Sequence, residues 1–544
     1  METTIPDIAV LVVGAGPTGL LLAAELCRRS VPCVLIDARS EAMHWDRATV
    51  VHPRSLQIFE AIGVVDKLLN VGCKQRVIKV YSDGTMLGAI DLSTSGSAYG
   101  FNLGLSEEVT ESILTDYLHR QGGLVTRGSR LVGFRPHADG VIASIDNDGK
   151  EYELTARWVV GCDGTHSATR VQTGIDFEGH KYVKEWAVFD AHVEGWNDTH
   201  EGIFAYQDIL PIILTALPNK RWRVYVRPSS KDSDLVAEAT STLRMYTPSA
   251  SFVNVENATR FNCYTKIAAR FRSGPAFLAG DSAHLCSPSE GHGMNTGIQD
   301  AFNLAWKLAL VYQGAANERL LDTYETERRP IAEAITRSGD ESEESQLMTD
   351  RVERERRNQA IRAVLSDPEE LHSHVLAETE LVIDYTGSPI IMGDASDFLS
   401  AGFRLPDNIA VEHPEARGWR YLHQLAHRPG HTLLLLAGAE ANEAELIGLH
   451  SAIRDLAAHS SIFESAFTVA AYTGLSGEIG VCSPSAAGQL GIHGITLLAM
   501  RPDGYIGARA DRNHLAAIES YRNLIFAGSG KVAETPVAAE QARR

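Results

Sequence analysis

The chain has 544 residues, more than one hydrophobic core accommodates, so roughly two to four domains are expected. Its 50 Lys and Arg against 69 Asp and Glu give a formal charge of −19, which argues against nucleic acid or an anionic membrane as partner. No apolar run reaches the roughly 20 residues of a membrane span, and residues 1–7 put no basic segment ahead of an apolar core, so a cytoplasmic location is expected.

Residues 8–13, Ile-Ala-Val-Leu-Val-Val, form an apolar run suited to a buried parallel strand, and Gly14, Gly16 and Gly19 follow at the G-x-G-x-x-G spacing. Gly14 permits the turn, Gly16 lets the backbone approach a pyrophosphate, and Gly19 lets the next helix pack on the strand. That helix is predicted over 18–29. With Pro17 and Thr18 at its mouth, it offers unpaired N–H groups and a positive dipole end. A second strand, 33–36, ends at Asp37, 23 positions after Gly14, where an acid accepts hydrogen bonds from a ribose; Ala38 and Arg39 continue the turn. A dinucleotide is therefore the expected ligand, with FAD and NAD both open.

Further along, a helix is predicted from Pro53, and stretches 77–90 and 131–153 alternate around turn signals at 82–84 and 147–149, as antiparallel hairpins do. Residues 112–120 read as a helix between them. A buried strand then delivers Asp163-Gly164, and a third delivers Gly280-Asp281. The chain continues through Pro288, Gly291 and Gly293 into a helix over 294–311. Ligands of a doubly wound sheet bind beyond the C-terminal strand ends, so three such ends converge on one ligand.

With these three motifs in order, the sequence resembles the class A FAD-dependent aromatic hydroxylases, a family of single-component flavoprotein monooxygenases. The resemblance implies that residues 14–19 hold FAD, that Asp163 and Gly164 serve FAD and the nicotinamide donor, and that Asp281 after Gly280 contacts the FAD ribose. It also implies a flavin-contacting Arg47, and a backbone segment at Gly291, Gly293, Met294 and Asn295 facing the isoalloxazine beside Pro288. The implied α/β fold has a Rossmann-like FAD-binding domain at 1–176 and 269–395. A β-sheet substrate domain is inserted at 177–268, and a thioredoxin-like domain follows at 396–544. The implied activity is hydroxylation of a phenolic or related electron-rich ring. NADPH or NADH acts transiently as reductant, and O2 reacts through a flavin C4a-hydroperoxide. Oxygenation of a polyketide or antibiotic ring is the runner-up. Two departures stand out. Glu290-Gly291-His292-Gly293 puts a carboxylate and an imidazole near the flavin, and residues 105–109 lack the family's usual Gln, so no FAD contact is carried to that segment.

Short strands at 186–193, 203–206, 209–217 and 222–227 make Tyr206, Trp222, Tyr225 and Arg227 candidates for the substrate pocket, although alternate positions face opposite ways. His52, Pro288 and His292 complete the candidate catalytic set. The charged run 340–357 reads as solvated helix surface. Beyond it, a strand is expected at 431–437, a helix at 443–458 and strands at 467–472 and 495–501. The seven cysteines lie scattered, without C-x-x-C or metal-ligand spacing, and read as reduced, small core residues. Cys482 stands alone in the third domain, which favours a scaffold or homodimer role over disulfide chemistry. Halogenation would call for a Trp-x-Trp-x-x-Pro signature, which the sequence lacks. A flavin-binding module without oxygenation would show no oxygen uptake matched to product.

Overall fold

The first layer is laid down by two strands and the helix between them. In the computed structural model, which describes residues 8–42, 48–393, 396, 398–414, 421–471 and 478–528, β1 (Ile8–Val13) leads into α1 (Pro17–Arg28) and β2 (Cys33–Ile36). β1 lies between β2 and the strand Lys150–Gly161, with Ala276–Leu278 and Val125–Thr126 further out, all of them parallel. Only its first residue is not fully buried, which explains its unbroken Val and Leu run. Register then places the motifs: Val13 is opposite both Ile36 and Gly161, and Gly161 is opposite Leu278. The turns after all four strands therefore leave the sheet at one level.

The signal at 147–149 closes an antiparallel hairpin between Gly140–Asn147 and Lys150–Gly161. Asp148 and Gly149 both adopt positive φ there, as a tight hairpin turn of this hand requires.

A second sheet of seven strands runs Ser251–Phe261, Trp186–Glu194, Arg221–Val226, Ile212–Leu217, Gly202–Tyr206, Val77–Ser82 and Thr85–Asp91. The last two lie outside the expected 177–268 segment and join through the parallel pairing of Gly202–Tyr206 with Val77–Ser82. Alternation tells which face of a strand is apolar, and leaves its neighbour unspecified. One face buries Phe189, Phe204, Tyr206 and Trp222; the other carries Ile78, Ile90, Ile203, Ile213 and Tyr225.

The charged run 340–357 lies on helices with solvated faces, as read, but Glu343, Arg354 and Arg357 in it are buried. Arg354 and Asn358 both bond the Asp83 carboxylate, at 3.1 and 3.0 Å, and Arg357 donates to Ser82 Oγ and the Gln207 carbonyl at 2.8 Å each. These cations are matched to the Asp83 carboxylate and the Ser82 hydroxyl, 271 and 275 positions away, and to the Gln207 carbonyl 150 positions away, a pairing that a charge count along one segment does not contain.

Chain contacts divide into two compact units. The first comprises Met1–Trp306, Arg328–Ile383 and Pro406–Asn408, and the second comprises Lys307–Glu327, Asp384–Leu405 and Ile409–Arg544. Segment 307–327 thus belongs with the C-terminal part rather than with the expected 269–395 domain. In the second unit His431–Ala437 pairs in parallel with Phe463–Ala470 across the helix Glu443–Ala458, and antiparallel with Ile495–Met500. The strand Ile506–Ala510 and the helix His514–Ala527 follow. Tyr472, in the strand expected at 467–472, lies outside the described residues.

This unit buries a charge network. Arg501 donates to both Glu327 oxygens at 2.7 and 2.8 Å and to Asp503, while Lys307 Nζ and Ser388 Oγ donate to Glu327 at 2.7 and 2.6 Å. Burial pushes Lys307 down to about 8 against the pull of Glu327. Two cations balance two carboxylates, so removal of one leaves an uncompensated buried charge. Glu327→Ala is expected to lower stability by about 3 to 5 kcal/mol, read as a lower urea midpoint.

Candidate active site

A cavity of about 1240 Å³ extends from the turns after β1 and β2 to the aliphatic face of the second sheet. Gly14, Gly16, Pro17, Thr18, Asp37, Ala38 and Arg39 line one end, joined by Asp163, Gly164 and Asp281 from the other two turns. Pro288, Gly291, Gly293 and Met294 line its middle. Ile78, Ile90, Ile203, Ile213, Tyr225 and Leu365 line the far end.

The glycines do separate work. Gly14 has φ +101°, and a Cβ there would stand 2.3 Å from the Cys162 carbonyl oxygen; a Cβ at Gly19 would stand 1.9 Å from the Gly14 oxygen. Gly19 therefore serves packing rather than the cavity wall. At Gly16 the nearest atom to a Cβ would be Glu111 Oε1, 3.8 Å away, so this glycine faces open space. Gly16 is also the N-cap of α1, and no side chain caps the helix. An open cradle beside uncapped N–H groups suits a pyrophosphate, so the residues present fit a bound dinucleotide.

Asp37 behaves differently from expectation. Its Oδ2 accepts from Ala15 N at 2.8 Å and Arg39 Nη2 at 3.1 Å, and its Oδ1 from Arg39 N at 2.8 Å and Arg39 Nε at 3.1 Å. Burial raises its pKa, but these bonds outweigh burial and hold the carboxyl below its ordinary range. All four acceptor positions are taken inside the chain. Arg39, partly exposed and lining the cavity, is the member of the pair open to a ligand.

The other two turns are pinned from behind. Asp163 accepts from Ser167 Oγ at 2.5 Å and from Thr169 N and Oγ1 at 3.0 and 3.1 Å, fixing the start of the helix Ala168–Thr173. Arg170 of that helix donates to Thr165 O and Ser282 O at 2.8 and 2.9 Å, tying the second motif to the third. Gly280 does not line the cavity; its N–H donates to Asp300 at 3.0 Å. Asp300 also pairs with His284 and Arg328, at 2.7 Å each. Burial would raise Asp300, but these two partners bring it down to about 2.

Four candidates do not reach the cavity wall as expected. Tyr206 alternates to the opposite face of the sheet, where its ring stacks on Tyr81. Arg227 is buried over Trp186 and paired with Glu343, a carboxylate that also accepts from Trp186 Nε1 and Ser287 Oγ. Asn295 accepts from His52 N and donates to Val50 O and Gly291 O, at 2.9 Å each, so it staples the loop from below. His52 is buried with Nδ1 3.1 Å from Asn102 Oδ1 and its ring stacked on His292. Arg47 lies outside the described residues.

The fifth, His292, is also buried. Its Nδ1 lies 2.8 Å from Glu380 Oε1. Burial lowers its pKa, but the bond and charge of Glu380, with Glu290 beyond, raise it to about 9; His52 is pushed down to about 4 by burial. The stack thus joins an imidazolium to a neutral imidazole. Donor atoms of His52, His292 and Glu380 all fall within 4.8 Å of one another, and the His292–Glu380 contact at 2.8 Å is an ion pair when His292 is protonated.

Of the candidate catalytic residues, Tyr225 and Pro288 do line the cavity, Tyr225 with its hydroxyl 3.1 Å from Thr49 Oγ1. Residues that sequence reasoning passed over are Glu107, Glu111, Glu378 and the pinning set Arg170, Asp300, Arg328, Glu343 and Glu380. Asp300 carried a signal, as the lone acid in the helix His292–Tyr312. Glu107 and Glu111, four apart on the helix Glu107–Arg120, face the cavity together.

A family profile described as FAD binding domain matches residues 7–339. The chain is 31% identical to pentachlorophenol 4-monooxygenase of Sphingobium chlorophenolicum over 82% of its length and 84% of that protein. The chain belongs to the class A FAD-dependent aromatic hydroxylases. This flavoprotein monooxygenase is also 34% identical to 6-methylpretetramide 4-monooxygenase of Streptomyces rimosus, over 59% of each chain. Among solved structures, anhydrotetracycline hydroxylase from Streptomyces rimosus superimposes with a TM-score of 0.73 at 26% identity, covering 95% of this hydroxylase and 99% of that chain. FAD is its bound cofactor, with NAD(P)H as the transient reductant. No helix among the described residues is long and apolar enough to cross a membrane.

Two outcomes follow from this geometry. Gly16→Val should fold yet purify without flavin, because its side chain enters open space where the pyrophosphate approaches. Gly14→Ala should destabilise the apoprotein, because its Cβ meets backbone. Flavin absorbance per protein, beside a urea titration, separates the two. For His292, the folded pKa near 9 exceeds the unfolded value of about 6.5. Its contribution to stability is therefore complete below pH 6.5 and lost as pH rises through 9, amounting to about 3 kcal/mol. Urea midpoints measured from pH 6 to pH 10 should show this alkaline loss in the wild type, and a correspondingly smaller loss in His292→Gln.

Proposed function

We propose that this hydroxylase acts on a phenolic ring held between the aliphatic sheet face and the helix Arg351–Ser366, and that Glu378 takes the phenolic proton. The observation that carries the reading is a cavity end walled by Ile78, Ile90, Ile203, Ile213 and Leu365, with a titratable carboxylate at its edge. Burial first, and then the nearby Glu290 and Glu380, raise Glu378 to about 7, while His292 pulls the other way. A carboxyl poised there is ionised enough at neutral pH to accept a proton and basic enough to hold it. Loss of the proton makes the ring electron-rich at the carbons ortho and para to oxygen. The aliphatic wall offers the ring no hydrogen bond, leaving Glu378 and the Thr49–Tyr225 pair to orient the hydroxyl. When bound, FAD takes two electrons from NAD(P)H and activates O2 for transfer to the ring. The chain groups that would meet FAD are the N–H groups of Gly16 and Thr18, with Arg39 and Asp281. The apolar walls exclude water.

A second reading is favoured by a relative. The cavity has to hold FAD as well as the ring, and the chain is 34% identical to a 6-methylpretetramide 4-monooxygenase, so a fused polyketide ring competes with a simple phenol. For the C-terminal unit, the strand order Phe463–Ala470, His431–Ala437, Ile495–Met500, Ile506–Ala510 supports a thioredoxin-like scaffold. Cys482 is its only cysteine, so homodimer formation rather than dithiol chemistry belongs to the proposal, as does a cytoplasmic location.

Turnover of phenols and polyketide aromatics, with NAD(P)H loss matched to hydroxylated product by mass spectrometry, decides between the readings. NAD(P)H consumption that yields only hydrogen peroxide across the panel would overturn both. Glu378→Gln should lower kcat/KM by about 100-fold and abolish the activity rise through pH 7, since only the ionised carboxylate accepts the proton. An unchanged pH profile would remove Glu378 from the role.

A further inference from the structure

Cys27, in the last turn of α1, and Cys33, the first residue of β2, bring their Sγ atoms to 3.6 Å. The reversal between them is held by backbone bonds. Arg29 N and Val31 N both donate to Leu26 O, Ser30 N donates to Cys27 O, and Ser30 adopts φ 58°. Both cysteines are partly exposed. Cys27 Sγ sits against Gly123, where a Cβ would come within 2.9 Å of the sulfur; Cys33 Sγ lies 3.7 Å from the Ala23 carbonyl oxygen. Each sulfur thus lies close to backbone as well as to the other sulfur. The seven cysteines are free thiols, but only Cys263 is fully buried, so the expectation of core residues holds for that one alone.

We propose that Cys27 and Cys33 form a peroxide-oxidisable thiol pair, with Cys27 the attacking thiolate and Cys33 the resolving thiol. The product is a disulfide joining the end of α1 to the start of β2. The step balances. The Cys27 thiolate attacks one oxygen of H2O2, the O–O bond breaks, and hydroxide leaves to take up a proton as water. Cys33 sulfur then attacks the resulting sulfenic acid at Cys27, the S–S bond forms, and a second water leaves with the Cys33 proton. Two thiols are oxidised by two electrons and one peroxide is reduced. Closing the contact to a bond needs the sulfurs to approach by only about 1.5 Å, since a disulfide is about 2.05 Å long.

Electrostatics agree with these roles. The hydrogen bond from Cys33 draws Cys27 down to about 7, and the same shared proton holds Cys33 far above its ordinary value. Burial instead raises Cys73, Cys162, Cys286 and Cys482. Among these cysteines Cys27 is the one drawn downward, the direction that favours the thiolate. The oxidant is hydrogen peroxide, and the bond would lie at the base of the βαβ unit whose other end carries the Gly16 cradle.

The test is a titration of the FAD-loaded enzyme with one to five equivalents of H2O2, followed by alkylation, trypsin and mass spectrometry. Trypsin cuts after Arg28 and Arg29, so Cys27 and Cys33 fall in different peptides. The expected result is a linked pair of peptides 1–28 and 30–39, two hydrogens lighter than their sum. Its rate of formation should rise about tenfold from pH 6 to pH 8, following a thiolate with pKa about 7. Cys33→Ser should trap sulfenic acid at Cys27, whereas Cys27→Ser should leave Cys33 alkylatable. Absence of the linked peptide while Cys27 proceeds to sulfinic acid would overturn the proposal. So would oxidation of Cys27 no faster than that of Cys73 or Cys482.

Discussion

The backbone contact between Gly14 and Cys162 is the constraint on which the rest of the structure depends. Gly14 leaves β1 with φ +101°, and a side chain there would run into the carbonyl of the turn that follows the neighbouring strand. Because that space is empty, two turns from different parts of the chain lie against each other at the C-terminal edge of the sheet. Register then brings in the turns after Ile36 and Leu278. The N–H groups just past the strands pair across to their neighbours, Gly14 to Ile36, Cys162 to Val13 and Ala279 to Gly161, so the turns stay side by side at the edge where ligands of such sheets bind. A larger residue at position 14 would separate the first two turns and, with them, the walls of the cavity.

Polar groups hold that edge in place from beneath. Asp300 with His284 and Arg328 fixes the Gly280 turn, Glu343 with Arg227 and Trp186 holds Ser287, and Glu380 with His292 and Gln299 sits under the start of the helix His292–Tyr312. Buried pairs of this kind gain little over an apolar pair of the same shape, because desolvation offsets their attraction, but loss of one partner's charge is costly. Their value is positional. Each carboxylate has one arrangement that satisfies its partners, and any displacement of the loop leaves a charge unpaired in low dielectric.

How far the sequence made this legible depends on whether the information is local. The glycine spacing, the apolar run of β1 and the strand ends at Asp163 and Gly280 are local, and the structure brings them together. The helix 443–458 was bounded to the residue, because an Asn cap and a regular apolar face mark it. Tyr206 failed for a reason also visible in part, since alternate strand residues face opposite ways while sequence leaves open which face meets the cavity. Asn295, Arg227 and Asp37 have residue types suited to a ligand, yet each is engaged inside the protein. Neither the pairing of Val77–Ser82 with Gly202–Tyr206 nor the docking of Arg357 on Ser82 is written in any one segment. Glu378 was hidden because its setting comes from Asn102, Glu290, His292 and Glu380, which lie on separate elements.

The same cluster explains why a proton acceptor belongs at this edge of the cavity. Glu290, Glu378 and Glu380 face a single imidazolium, His292, so the group is already overcharged with anions when every carboxyl is ionised. Burial makes that excess costly, and Glu378 relieves it by titrating near 7 while Glu380, bonded directly to His292, stays ionised. An anionic ring placed beside three ionised carboxylates would add a fourth negative charge to a poorly solvated region. Transfer of the phenolic proton to Glu378 avoids this, because one charge appears on the ring as one disappears from the carboxylate. The net charge of the cluster and its ligand is then the same before and after the transfer, and the neighbouring dipoles need little reorganisation.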